Sequence, residues 1–265
     1  MQENTMLDYL KDVLENMPTD WLNLTTHRLD IYDESLAKTQ FLEQFEQLYH
    51  ANDSSTSALN ELPTAYDYIR LGHPLSCVLE WGIAQLHNLK TENVISFSSA
   101  TMPLLAILRT NLLTNKNTRI VYTESLPHSF NEATLKEVYG YKFELERVDD
   151  LASLSAFDGS TVFISEENTV SKTDLSENID FSIHEHGDLG SILLINGKQN
   201  DNYVSAIQHV RRRESIAMTP ANCIPALKSL VEQSAIVTFK GDTAADKASV
   251  IQSIKNITGS NTKAL

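Results

Sequence analysis

The chain has 265 residues, 42% of them hydrophobic, and carries 35 Asp and Glu against 21 Lys and Arg, for a formal net charge of −14. That length and apolar content suit one large domain or two modest ones with real cores. So negative a surface repels phosphate backbones and anionic headgroups, which argues against nucleic-acid and membrane-surface partners.

Residues 1–60 read as a helical arm: Leu7, Leu10, Val13 and Leu14, then Leu42, Phe45, Leu48 and Tyr49, repeat near the helical period. The first 17 residues have neither a basic leader nor an apolar core, so they are not read as a secretory signal. Ala51 to Ser57 is small, polar and turn-prone, a boundary or linker. Then strands and helices alternate: a strand over Asn93–Phe97, a helix over Met102–Leu113, a strand over Arg119–Tyr122 and a helix over Ser129–Tyr139, with Ser129 and Glu132 in a capping-box pattern. Strands follow at Tyr141–Val148, Thr161–Ser165, Ile179–His184 and Ser191–Ile195. A last strand, Ser234–Lys240, leads into a helix from Asp242 to Gly259. This order predicts an α/β fold with a largely parallel sheet between helices. The expected division is an arm over 1–60, a large domain over 61–220 and a partial α/β subdomain over 221–265.

Several side chains invite a bland reading. The run Arg211-Arg212-Arg213 lies in a helical stretch and is expected to form a solvated face. Cys77 and Cys223 sit in apolar surroundings and read as small buried hydrophobes, in keeping with a reducing, cytoplasmic setting. His184, Glu185 and His186 cannot converge on a metal, because neighbours on a strand point to opposite faces. Neither a P-loop nor a G-x-S-x-G or G-x-G-x-x-G motif is present, and the metal site is predicted as none.

The most informative stretch is Tyr68-Ile69-Arg70-Leu71-Gly72-His73-Pro74, with Leu79-Glu80 and Ile83-Ala84-Gln85-Leu86 behind it. Tyr and Arg two apart on an extended segment can reach one anion, and a guanidinium suits phosphate. The whole stretch resembles the Y-x-R-x-x-N-P-T…L-E…I-A-x-L signature of the Cys/Met-metabolism family of pyridoxal-phosphate enzymes, the cystathionine synthases and lyases. The resemblance spans about residues 61–259, broken by two deletions. It implies the fold-type I transferase architecture, and it implies that Tyr68 and Arg70 bind the cofactor phosphate in a neighbouring subunit's site. His73 stands where the family has Asn.

By the same resemblance, Ser99-Ala100-Thr101 is similar to the strand-to-helix S-G-M turn whose amides hold the phosphate, with Ala100 in place of the glycine. Pro127 falls where the family stacks a Tyr on the pyridine ring. Two registers suit the next segment: one equates Glu167-Asn168-Thr169 with the family's D-N-T, whose Asp pairs with the pyridine nitrogen, and the other equates Glu166 with an earlier E-x-P; the first is preferred. The cofactor-binding set this implies is Tyr68, Arg70, Ser99, Ala100, Thr101 and Glu167, with no catalytic residue.

Ile179 to His184 is similar to the strand before the family's S-x-T-K segment, and His186 to Gly190 to the segment after it; the stretch with the Schiff-base lysine is missing between them. Lys172 precedes that strand and Lys198 follows the next one. Without an amine to form the imine and shuttle protons, the family's cycle is hard to build. The expectation is a non-catalytic member that acts by association, a homo- or hetero-oligomer with a related subunit whose site it could complete in trans, with pyridoxal phosphate noncovalent or absent. The alternative is a carbon–sulfur lyase or transferase of weak or altered activity.

Overall fold

The computed structural model describes residues 2–23, 34–63, 69–166, 175–235 and 243–258. Its centre is a six-stranded sheet: β1 (Val94–Phe97), β2 (Thr118–Tyr122), β3 (Glu144–Arg147), β4 (Ser160–Glu166), β5 (Phe181–Glu185) and β6 (Ser191–Ile195), in spatial order β1-β6-β5-β4-β2-β3. β3, β2, β4 and β5 run parallel, whereas β6 is antiparallel to both β5 and β1. β1, β5 and β6 are buried at every position, as expected of short runs such as Val-Ile-Ser-Phe and Ser-Ile-Leu-Leu-Ile that are covered on both faces.

Helices cover the two faces. α5 (Met102–Thr114) and α6 (Gly197–Glu214) pack together over Ile95, Phe97, Ile183 and Leu193. On the other side α4 (Pro74–His87) and α7 (Pro220–Glu232) form a second core with α1 (Gln2–Asn16) and α2 (Glu34–Ala51). Tyr9, Phe45, Tyr49 and Trp81 meet edge to face there, with centroids 5.2–5.8 Å apart. The stretch from Ala51 to Ser57 is a capped turn: Asn52 takes a left-handed backbone, Ser55 caps α3 (Thr56–Glu61), and the Tyr9 hydroxyl donates to the Asp53 carbonyl. α8 (Thr243–Thr258) matches the last expected helix; the strand expected before it falls mostly outside the described residues.

Two local expectations are corrected. The helix expected from Ser129 is a single wide turn over Thr134–Val138, and Ser129 caps nothing. Its hydroxyl donates to both carboxylate oxygens of Glu185 (2.6 and 2.7 Å), a charge-assisted bond that ties it to β5, and Asn131 Oδ1 receives the Thr134 amide.

The other correction concerns Arg211, which is 3% exposed rather than solvated. The buried stripe of α6 runs through Tyr203, Ile207, Val210 and Arg211, so helical spacing carries the arginine inward with its apolar neighbours. Its Nη1 donates to Glu80 Oε1 (2.8 Å), and Lys38 Nζ donates to Oε2 (2.7 Å). Glu80 also accepts from the Ser96 amide and hydroxyl (2.9 and 2.8 Å), tying α4 to β1. Burial alone would raise the Glu80 carboxyl; Lys38, then Arg211, outweigh it and hold it down at about 2.

Both cysteines are buried, as expected, and burial pushes the Cys77 thiol up to about 11. Among the described residues, no helix is long and apolar enough to cross a membrane.

Candidate functional site

The carboxyl ends of the parallel strands frame a cavity of about 150 Å³. Ile164 of β4, Ile183 and Glu185 of β5, Ala100, Thr101 and Leu104 at the start of α5, and Ser129 and Phe130 of the following loop line it. Crevices of open α/β sheets lie at this end, because the loops that follow parallel strands diverge there. Glu185 is 8% exposed and is the charged group among the described lining residues, with Ser129 among its partners. Tyr139 closes one side with an exposed ring stacked on Tyr141.

The turn between β1 and α5 is firmly held. Ser98 N–H donates to Ile216 O (3.1 Å), and Ser191 Oγ donates to Ser99 O (2.7 Å). Of the first amides of α5, Met102 donates to Ser99 Oγ (3.3 Å), Pro103 has none to give, and Leu105 donates to Thr101 O (3.1 Å). Of the amides from Met102 to Leu105, that leaves Leu104.

Ala100 and Thr101 line the cavity, and Ser99 precedes them in the turn. Arg70 does not join them within the chain: it precedes α4 and lines a separate cavity beside α2 and α6. Tyr68 and Glu167 lie outside the described residues, as does Lys172. Lys198 is exposed and lies just past β6, whose last residue pairs with Phe181, the first of β5. That places it beyond the amino end of β5, about 13 Å along the strand from Glu185 at ~3.3 Å per residue.

Pro127 is buried and opens a turn in which its carbonyl accepts the Phe130 amide (2.9 Å). The aromatic rings lining the cavity are Tyr139 and Phe130, the latter set edge to face with Phe143 at 6.2 Å. Glu185 and Ser129 were missed as a pair: strand alternation put Glu185 opposite His184, but nothing in the sequence marked which face held the cavity. His184 points the other way, its ring between Ser182 Oγ (2.6 Å) and Ser165 Oγ (3.2 Å). Among the described residues no group of three His, Cys, Asp or Glu is placed to hold a metal.

No family model and no curated protein matches the sequence. Among solved structures, the fold is similar to metB from Corynebacterium glutamicum, with 15% identity over 65% of this chain and 54% of that one, at a TM-score of 0.43. It is also similar to a putative O-acetylhomoserine (thiol)-lyase, metY, from Campylobacter jejuni, with 12% identity over 84% of this chain and 70% of that one, at a TM-score of 0.42. The chain spans about half the length of the Corynebacterium protein.

His73 caps α4 in place of the Asn of the resembling signature, and both side chains can accept an amide there. Ser76 N–H donates to Nδ1 (3.2 Å), which leaves the ring proton on Nε2 to donate to Met218 O (2.7 Å). Burial, partly opposed by the Met218 bond, brings His73 down from 6.5 to about 4. A depressed histidine contributes stability above its unfolded value and loses it as pH falls towards the folded one. The margin of the wild type over His73→Asn is therefore expected to shrink by up to about 3 kcal/mol between pH 6.5 and 4. Urea melts of the two proteins across that window check it.

Proposed function

We propose that the chain is a non-catalytic relative of the trans-sulfuration pyridoxal-phosphate enzymes, which acts by associating with a related subunit rather than through chemistry of its own. The observation that carries this reading is the make-up of the cavity at the strand ends. Its charged group is the Glu185 carboxylate, and neither lysine nor arginine is among its described lining residues. Pyridoxal phosphate brings a phosphate near two negative charges and an aldehyde that needs an amine. A carboxylate in a poorly solvated pocket repels the first, and Lys198 stands at the far end of the sheet from the second.

Size argues the same way. About 150 Å³ is below the roughly 300–1,000 Å³ of pockets that enclose cofactors. The described lining residues do not suit the cofactor. Of the signature's Tyr and Arg, Arg70 is the one among the described residues, an exposed residue before α4 and apart from this cavity. A residue that served a neighbour's site would be placed on such an outward-facing segment.

Mixing the purified protein with pyridoxal phosphate is expected to give no imine absorption band and, after borohydride, no pyridoxyl group on any lysine by peptide mass spectrometry. A band trapped on Lys172 or Lys198 would overturn the reading. Association is tested by co-purification with a full-length relative from the same cell, where Arg70→Ala is expected to lower the relative's activity at unchanged complex yield. Absence of any complex sinks the association half.

A further inference from the structure

The cavity at the carboxyl ends of the parallel strands, about 150 Å³, sets apolar walls beside an acid. Leu104, Leu135, Ile164 and Ile183 supply the apolar side. Ile164 and Ile183 are register partners on β4 and β5, and Glu185, two residues beyond Ile183, shares that face of the sheet. Ser129, itself on the cavity wall, has its Oγ 2.6 and 2.7 Å from the two carboxylate oxygens, which sets the head of Glu185 beside that wall. A carboxylate has roughly four acceptor positions, more than the one proton of Ser129 can fill.

Two rings also line the cavity, each held by a neighbour: Phe130 edge to face with Phe143 at 6.2 Å, and Tyr139 stacked on Tyr141 at 5.9 Å. The face of an aromatic ring attracts an organic cation, as a carboxylate does. Anions are repelled by Glu185, with neither lysine nor arginine among the described lining residues to offset it. A bare metal ion is no better suited. Such ions need several oxygen ligands, and among the described residues no group of three His, Cys, Asp or Glu is placed to hold one. Size narrows the ligand further: an apolar cavity of about 150 Å³ holds a molecule as large as benzene, so about five or six non-hydrogen atoms fill this one.

We propose that this cavity binds a small organic cation, an ammonium group on a short hydrocarbon body, with the charge at Glu185 and the body against Ile164, Ile183 and the two rings. The inference rests on the reading above only in taking the cavity as closed to the anionic cofactor.

The full-length protein, titrated at neutral pH and constant ionic strength with n-butylammonium, n-butanol and butyrate, tests this. The three probes match in size and differ in charge. Binding is read from the isotope-labelled δ1 methyl resonances of Ile164 and Ile183, assigned with Ile164→Val and Ile183→Val. Saturable shifts of both methyls with n-butylammonium are expected, with n-butanol about 10- to 100-fold weaker, the loss of one charge-assisted hydrogen bond, and no response to butyrate. Glu185→Gln keeps an acceptor for Ser129 and is expected to erase the preference for the amine over the alcohol. Ala100→Leu fills the cavity and leaves the carboxylate in place, so it is expected to abolish binding of both, and it serves where Glu185→Gln does not fold. The proposal is overturned by the absence of a saturable shift with n-butylammonium, by equal binding of amine and alcohol in the wild type, or by amine binding that survives unchanged in Ala100→Leu. Each of those results leaves the non-catalytic reading standing, whereas a pyridoxyl group trapped on a lysine overturns both.

Discussion

Glu80→Gln is expected to destabilise the protein by about 3–5 kcal/mol, the range for leaving a buried charge uncompensated. The carboxylate is the shared acceptor of Lys38 and Arg211 and also receives the Ser96 amide and hydroxyl. Gln keeps the shape but carries no charge, so two cations are left facing each other where there is little water to screen them. A fall in the urea midpoint at unchanged slope measures the loss. Adding Lys38→Met to Glu80→Gln should recover part of it, because one of the stranded cations goes. If the single variant melts like the wild type, the cluster is not the electrostatic hub described above.

The same residue sets an acid limit. Glu80 is held at about 2 against an ordinary 4.5, so its contribution is complete above the ordinary value and is lost as pH falls from there towards 2. In Glu80→Gln that part of the acid sensitivity disappears, whereas the His73 part, between pH 6.5 and 4, stays.

Gly190→Ala is the second large effect expected. Gly190 has φ 119° and ψ −143°, a region that glycine alone occupies readily, and a Cβ there would lie 2.1 Å from the Phe97 carbonyl oxygen. The backbone strain costs up to about 3 kcal/mol, and the overlap with main-chain atoms of β1 must be relieved by moving a strand. Together they take a large share of the ~5–15 kcal/mol that holds a typical domain. Gly187→Ala is the control: its φ of 55° lies in the left-handed region with nothing near the added carbon, so only a modest cost is expected. Equal melting of the two variants would show that the approach of Gly190 to β1 is not the tight one described.

The elements that sequence reading placed well are those with strong periodic signals. The short apolar runs Val94–Phe97 and Ser191–Ile195 and the long apolar pattern of α5 leave little choice of state. The misplacements share one cause, which is that a distant partner decides. Ser129 looks like a cap until Glu185, 56 residues away, takes its hydroxyl proton in a hydrogen bond. Arg211 looks solvated until Glu80, 131 residues away, takes it inward. The site was legible to the same degree: Ser99, Ala100 and Thr101 follow from a strand-to-helix turn, while the carboxylate beside them could be found only once the sheet fixed which side of β5 faces the cavity.

The sheet ends at β3, where Glu144, Glu146 and Arg147 are exposed and Leu145 is half-buried. A second molecule adding its own β3 there would set glutamates against glutamates in a chain that is already strongly acidic, and strand edges of this kind resist being extended. Growth into ribbons or fibrils through that border is disfavoured.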